Sequence, residues 1–305
     1  MGRSRDLPDD GEKFPLVALR VGPGRLSARI DVGHRLLAKG RRLLYRRPRE
    51  EEETLDAGTV RALNALNRSF YREQAAAFSA AREAPWPGWK RLVELVAERV
   101  PTSPLAVLDV GCGNGRFAAF LAARGIPFTC CGIDASAPLL DLARARRLPR
   151  GSASWRLADF LERPPDASLP EGRFDLVVLF GVLHHVPGRE QRRALLQALR
   201  RRLRPGAVLA LTAWQFEAFR RFRERMLPWE VFNRGAADPI DLAQLEPGDH
   251  LLPWGRGTGL RFCHFADDAE VEGLLRDAGL ERLHRYRADG RSGDLNRYFV
   301  ARAGA

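Results

Sequence analysis

The stretch Leu108-Asp109-Val110-Gly111-Cys112-Gly113-Asn114-Gly115-Arg116 constrains the fold of this chain more than any other. An apolar run over 106–110 ends in three alternating glycines, and a helical run over 116–124 follows at once. Glycine reaches backbone conformations closed to other residues and lets a ligand approach the main chain. A helix that opens on such a turn offers free N–H groups. The same strand–helix order then repeats. Residues 128–133, 155–158, 174–180 and 207–213 read as strands, and 136–147 and 190–203 as helices, the last stopped by Arg204-Pro205-Gly206. The run 174–180 is solidly apolar, as expected of a strand covered on both faces. A helix over 267–278, ended by Gly279, leads to two strands at 280–287 and 297–303 around the turn 289–294. The pattern predicts an α/β fold: a doubly wound, mostly parallel, seven-stranded sheet with right-handed crossovers.

Around this core the chain divides. Residues 1–54 read as a basic, flexible or partly helical extension, with ten basic residues and one acid between Leu16 and Arg49. Residues 55–305 then form one domain. Two N-terminal helices occupy 55–100, broken at Pro85-Trp86-Pro87. The core spans 105–214. A proline-bearing insertion without clean periodicity covers 215–262, on the substrate side, and 263–305 close the sheet. Hydrophobic residues at 45% and charged residues at 29% argue against a disordered or fibrous chain. No apolar stretch approaches the roughly 18 residues of a membrane span, and no secretory signal opens the chain. The expectation is a cytoplasmic protein without a membrane span. The four cysteines show no CxxC spacing, so neither a disulfide framework nor a structural metal site of this chain's own is expected. The net charge of +12, almost all arginine, attracts polyanions and makes nucleic acid a candidate partner.

Four details narrow the glycine turn. Arg116 stands where a dinucleotide fingerprint carries its third glycine. Asp109 precedes the glycines in the strand. Asp134 ends the second strand, where a carboxylate suits a ribose diol, and Asp159, beside Phe160, ends the third. This pattern resembles the class I S-adenosylmethionine-dependent methyltransferases, which implies a Rossmann-like fold and S-adenosylmethionine as cofactor. The resemblance implies cofactor-binding residues at Asp109, Gly111, Cys112, Gly113, Asn114, Gly115, Asp134, Ala135, Asp159 and Phe160.

Further segments are similar to the tRNA wobble-uridine methyltransferases that esterify a 5-carboxymethyl group, including the domain fused to AlkB-like dioxygenases. They are Asn67-Arg68-Ser69-Phe70-Tyr71, Phe78-Ser79-Ala80-Ala81-Arg82, Pro85-Trp86-Pro87, His184-His185 and Arg261-Phe262-Cys263-His264. The chain departs from that family at Asn296-Arg297, where an Asn-Trp pair is usual. The resemblance implies tRNA as substrate and a small zinc-ribbon activator subunit as a partner. A carboxylate acceptor is ionised at neutral pH and needs no base, only cations that position it. Arg82, Arg189, Arg193 and Arg261 are candidates. A phenol or hydroxyl acceptor would instead call on His184 or His185. Arg192 and Arg193 read as solvated helix charges, and Trp86 and Trp214 as core or pocket wall. Two alternatives stand beside the tRNA reading: a small-molecule O- or carboxyl methyltransferase, and a cofactor-binding partner protein without catalysis.

Overall fold

A computed structural model describes residues 55–100, 103–255 and 259–304; the basic extension 1–54 lies outside them. In chain order, α1 (Ala57–Ala80) and α2 (Gly88–Ala97) precede the sheet. There follow β1 (Leu105–Val110), α3 (Arg116–Ala123), β2 (Phe128–Asp134), α4 (Ala137–Arg144), β3 (Gly151–Leu157), α5 (Pro165–Ser168), β4 (Phe174–Leu179), α6 (Arg189–Arg201) and β5 (Leu203–Trp214). The insertion holds α7 (Arg220–Arg223), α8 (Trp229–Asn233), β6 (Asp249–Trp254) and β7 (Gly259–His264). The chain closes with α9 (Asp268–Asp277), β8 (Leu280–Ala288) and β9 (Asn296–Ala303). Among the described residues no helix is long and apolar enough to cross a membrane.

The main sheet has seven strands in the order β3-β2-β1-β4-β5-β9-β8, with β9 antiparallel to both of its neighbours. Successive side chains along a strand point to opposite faces, so the sheet feeds two cores. On one face Leu108, Val110, Val177 and Leu209 meet α6 and α9 through Leu195, Leu199 and Leu274. On the other, Val107, Leu176, Val178 and Val208 meet α2 and α3 through Trp89, Leu92 and Leu121.

Three differences from the sequence reading have local causes. β3 starts at Gly151, because its small residues alternate between half-buried and exposed positions and carry no apolar signal. α6 ends at Arg201, and Leu203 already pairs with Phe174 in the sheet. Arg204-Pro205-Gly206 is therefore an interruption of β5 rather than a helix stop: the register jumps from Phe174↔Leu203 to Leu176↔Val208. Proline lacks the N–H a ladder needs, and Gly206 takes φ +77°. Finally, the insertion contains a hairpin, β6–β7, outside the main sheet. Pro253 in β6 disguised it, since proline marks an edge.

That hairpin and α1 form one cap. Leu55, Val60 and Leu63 pack with Phe232, Ile240, Leu251 and Phe262. A buried ionic network pins the cap to the sheet layer. The Arg192 guanidinium, 1% exposed, meets Glu246 at 2.6 Å and Glu270 at 2.9 Å, and donates to the Val186 carbonyl at 3.1 Å. His264 lies 2.7 Å from Asp249 and 3.0 Å from Glu270. Arg192 is thus a buried, paired charge and not a solvated one. Burial is the largest influence on His264 and opposes its protonation, as does Arg192; hydrogen bonds to Asp249 and Glu270 outweigh both and push its pKa up to about 9 from 6.5. A group with a raised folded pKa stabilises fully below its unfolded pKa and loses that contribution as pH rises through the folded one. Melting temperature is therefore expected to fall between about pH 6.5 and about pH 9, and His264→Gln to flatten the slope. An equal slope in both proteins, measured by calorimetry, would remove His264 as the cause.

Candidate active site

The glycine turn is pinned to the end of β2. Gly111 and Cys112 donate to the Ile133 carbonyl at 2.8 and 3.0 Å. At Gly111, φ is +73°, and a Cβ would stand 2.2 Å from Val182 Cγ2, so packing alone demands glycine there. At Gly113, φ is +54° and a Cβ would have nothing within 4 Å: the main chain faces open space. Asp134 accepts from the Gly113 and Ser136 N–H groups, each at 2.8 Å. Burial holds its pKa above the usual carboxylate range despite these bonds. Asp109 lies beneath, 3% exposed, and burial followed by the Asp134 charge pushes it up to about 7.

Asp159 organises the next turn. It accepts from Leu161 N at 2.9 Å and Glu162 N at 3.1 Å, and its other oxygen meets Arg68 at 3.2 Å. Asn114 bonds Ser79 at 2.7 Å, and its carbonyl accepts from Arg146 at 2.6 Å. α1 is thereby laid across the carboxyl ends of β1 and β2. The result is a cavity of about 450 Å³ lined by Asp109, Gly111, Cys112, Gly113, Asn114, Asp134, Ala135, Asp159, Phe160 and the α1 face. Gly115 does not line it; its φ is +73° and a Cβ there would meet Trp155 at 2.9 Å, so it serves the turn and its packing.

A second cavity, of about 590 Å³, adjoins the first across Arg82, Trp86, Arg116 and Gly181. Its walls include Trp86, Trp214, Trp254, His184, Arg225 and Arg261. Arg261, on β7, is 4% exposed. Its guanidinium carbon sits 5.2 Å from the ring centres of both Phe70 and Trp214. Its Nε has no hydrogen-bond partner, and no carboxylate among the described residues pairs with it. Arg82 stacks 3.9 Å over Phe78. Burial and the Arg261 charge lower its pKa to about 10, which leaves it a cation at neutral pH.

Burial disfavours the protonated form of both histidines. His185 Nδ1 faces the Phe262 carbonyl at 3.0 Å, which only accepts, so Nδ1 carries the proton and Nε2 accepts from Tyr71 at 2.8 Å. Burial, followed by Arg261, lowers its pKa to about 3. His184 is held well below its usual value by burial, then by His185 and Arg261. Its Nδ1 is buried without a partner. The His184, His185 and Cys263 donor atoms lie within 4.8 Å of one another, but the Arg82 and Arg261 charges beside them oppose a bound cation.

Two sequence candidates fall away from the site. Arg189 lines neither cavity; its guanidinium meets Asp277 of α9 at 2.6 Å and its N–H meets Glu246. Arg193 pairs with Glu190 on its own helix at 2.6 Å. Both lie on faces of α6 turned to other carboxylates. Conversely, Asn64, Asn67, Arg68 and Tyr71 of α1 line the first cavity. Their signal was present: 64, 67, 68 and 71 recur at helical spacing, placing polar side chains on a stripe that packing would fill with apolar ones.

Comparison with known proteins bears on the family and the fold. A family profile described as "Methyltransferase domain" matches residues 108–209. The mouse tRNA (carboxymethyluridine(34)-5-O)-methyltransferase ALKBH8 is 30% identical over 176 residues, 57% of this chain and 24% of that protein. The matched region thus spans about a quarter of that relative. The trans-aconitate 2-methyltransferase of Azoarcus sp. is 30% identical over 225 residues, 63% of this chain and 85% of that protein. A solved SAM-dependent methyltransferase from Methanosarcina mazei superposes with a TM-score of 0.52 at 22% identity, over 69% of this chain and 97% of the other. The chain belongs to the class I S-adenosylmethionine-dependent methyltransferases. Its cofactor is S-adenosylmethionine.

Proposed function

We propose that this methyltransferase forms a methyl ester on a carboxylate, and that the carboxylate belongs to a carboxymethyl-type wobble uridine of tRNA. The observation that carries the reading is Arg261: a buried cation without an anionic partner, beside Arg82, in a tryptophan-walled cavity that opens onto the cofactor cavity.

The residues of the first cavity fit the cofactor. Gly113 leaves room where a side chain would intrude, and Asp134 retains lone pairs beyond the two backbone N–H groups it accepts. In this reading Gly111, Cys112, Gly113 and Asn114 cradle the amino-acid end, Asp134 and Ala135 the ribose, and Asp159 and Phe160 the adenine. Gly115 holds the turn from behind. S-adenosylmethionine supplies a methyl already activated by its sulfonium. The chain's task is then to hold the acceptor in line, and orientation supplies much of the acceleration.

The acceptor cavity favours a group that arrives as an anion. His184 and His185 are neutral and poorly basic, and burial raises the Tyr71 pKa. An alcohol or phenol would find no readily protonated imidazole there. A carboxylate needs none, and the guanidiniums of Arg82 and Arg261 can receive it with paired hydrogen bonds. Trp86 and Trp214 stand as walls for a planar acceptor. The +12 charge of the chain and the name of the mouse relative support tRNA. The Azoarcus relative, which the match covers more fully, favours a second reading in which the acceptor is a small carboxylic acid. Arg82 and Arg261 serve both.

Labelled methyl transfer to total tRNA, followed by mild alkali, separates them. Label released as methanol is the expected result. Alkali-stable label would move the acceptor to a ring or ribose atom and overturn the carboxylate. No label on tRNA, with and without a small zinc-ribbon subunit, but ester formation on trans-aconitate, would establish the second reading.

A further inference from the structure

We infer that the turn 219–225 is a docking surface for the RNA phosphate backbone at the mouth of the acceptor cavity; this rests on the tRNA reading above. The turn stands at that mouth: Phe222 and Arg225 line the cavity, and the Phe222 ring meets Trp214 edge-on at 5.0 Å. Arg225 is fastened to the cavity rim by a hydrogen bond to the Gly255 carbonyl.

The sequence here is Phe219-Arg220-Arg221-Phe222-Arg223-Glu224-Arg225, and all four arginines are exposed. Burial does not explain them, although Arg223, like Arg225, also donates to a backbone carbonyl, that of Glu217. α7, at the centre of the turn, buries no residue, so the arginines contribute nothing to a core. Local carboxylates do not neutralise them either. Glu217 is engaged by His250 at 2.6 Å, and Glu224 meets only Arg220, at 3.4 Å between exposed groups. Arg221 and Arg223 have no carboxylate partner among the described residues. The Arg221 guanidinium instead lies over Phe219 and Phe222, at 5.0 and 4.9 Å from the ring centres. An arginine carried on aromatic faces, with three more exposed beside it at a cavity mouth, forms a surface that suits phosphate together with unstacked bases. The acceptor cavity beneath takes one planar anionic group, so the polyanion that fits is one that can present a base into it. A membrane or an acidic protein would have no use for the cavity, and a small carboxylic acid would have no use for the rim.

The test is tRNA binding by the full chain as a function of salt, for the wild type, R221A/R223A and R221K/R223K. Each lost phosphate contact lowers the slope of log affinity against log salt by about 0.7–0.9. R221A/R223A is therefore expected to bind more weakly, with a slope shallower by roughly 1.4–1.8, and to show a raised KM for tRNA. R221K/R223K should keep the wild-type slope. S-adenosylmethionine affinity, which these residues do not touch, reports intact folding. Wild-type affinity and slope in R221A/R223A would overturn the docking surface alone, provided wild-type protein still forms alkali-labile label on tRNA. Failure of the wild type both to bind and to label tRNA would overturn the tRNA reading and this surface with it.

Discussion

Arg261→Met is expected to lower kcat/KM at least about 30-fold while leaving the melting temperature unchanged or higher. The loss follows from the position of the cation. Truncating one partner of a buried, hydrogen-bonded charge pair costs about 2–5 kcal/mol, or roughly 30-fold to several thousand-fold in kcat/KM. The gain in stability follows from what the cation lacks without substrate. A buried ion without a counter-ion carries a desolvation penalty of several kcal/mol, and the aromatic faces of Phe70 and Trp214 return only about 0.5–2 kcal/mol. Methionine fills similar length without charge. Cofactor affinity should survive, because Arg261 lines the second cavity and not the first. Arg261→Lys keeps the charge but not the planar fork, and should fall between the two. Steady-state kinetics and calorimetry on the same preparations decide the matter. Full activity with a raised melting temperature would mean that the acceptor does not use this cation. Loss of activity and stability together would make Arg261 a structural residue.

The arginines also show how far the sequence could be read. The glycine turn was legible because its constraint is local: three positive φ angles and a strand–helix junction leave little choice of residue. Asp134 and Asp159 were legible because strand ends could be counted, and the mostly parallel sheet followed from alternation. The hairpin of β6 and β7 was hidden, since Pro253 stands within β6 and Leu251 and Phe262 are buried against α1, which is distant in sequence. Among Arg189, Arg193 and Arg261 the sequence offered no way to choose, and Arg192 read as solvated. What separates them is which carboxylates other segments deliver. Asp277 reaches Arg189, Glu190 reaches Arg193, Glu246 and Glu270 reach Arg192, and nothing of the kind reaches Arg261. Tyr71 was similarly hidden, because its role depends on His185, and the orientation of His185 depends on a carbonyl in β7.

Arg192 is the opposite case from Arg261, and Arg192→Met should cost stability rather than chemistry. Its removal leaves Glu246, Asp249 and Glu270 facing a single imidazolium, His264. Breaking a buried ion pair from one side costs about 3–5 kcal/mol, because the remaining charges stay buried without compensation. For a domain of this size that is a fall in melting temperature of roughly 6–20 °C. His264 and Arg192 together hold the Glu270 pKa below the usual value against the opposing effect of burial. Such a carboxylate stabilises above its unfolded pKa and loses that contribution as pH falls through its folded pKa. Without Arg192 the loss should begin at higher pH. Glu270→Gln in the Arg192→Met background should recover part of the stability, since it removes one of the stranded charges. At low temperature the folded variant should still bind S-adenosylmethionine, because Arg192 lines neither cavity. The network ends on His264, the last residue of the strand that carries Arg261. The paired arginine thus anchors the element that presents the unpaired one. If Arg192→Met melts like the wild type, the apolar contacts of Phe262 and Leu251 with α1 hold the hairpin without it.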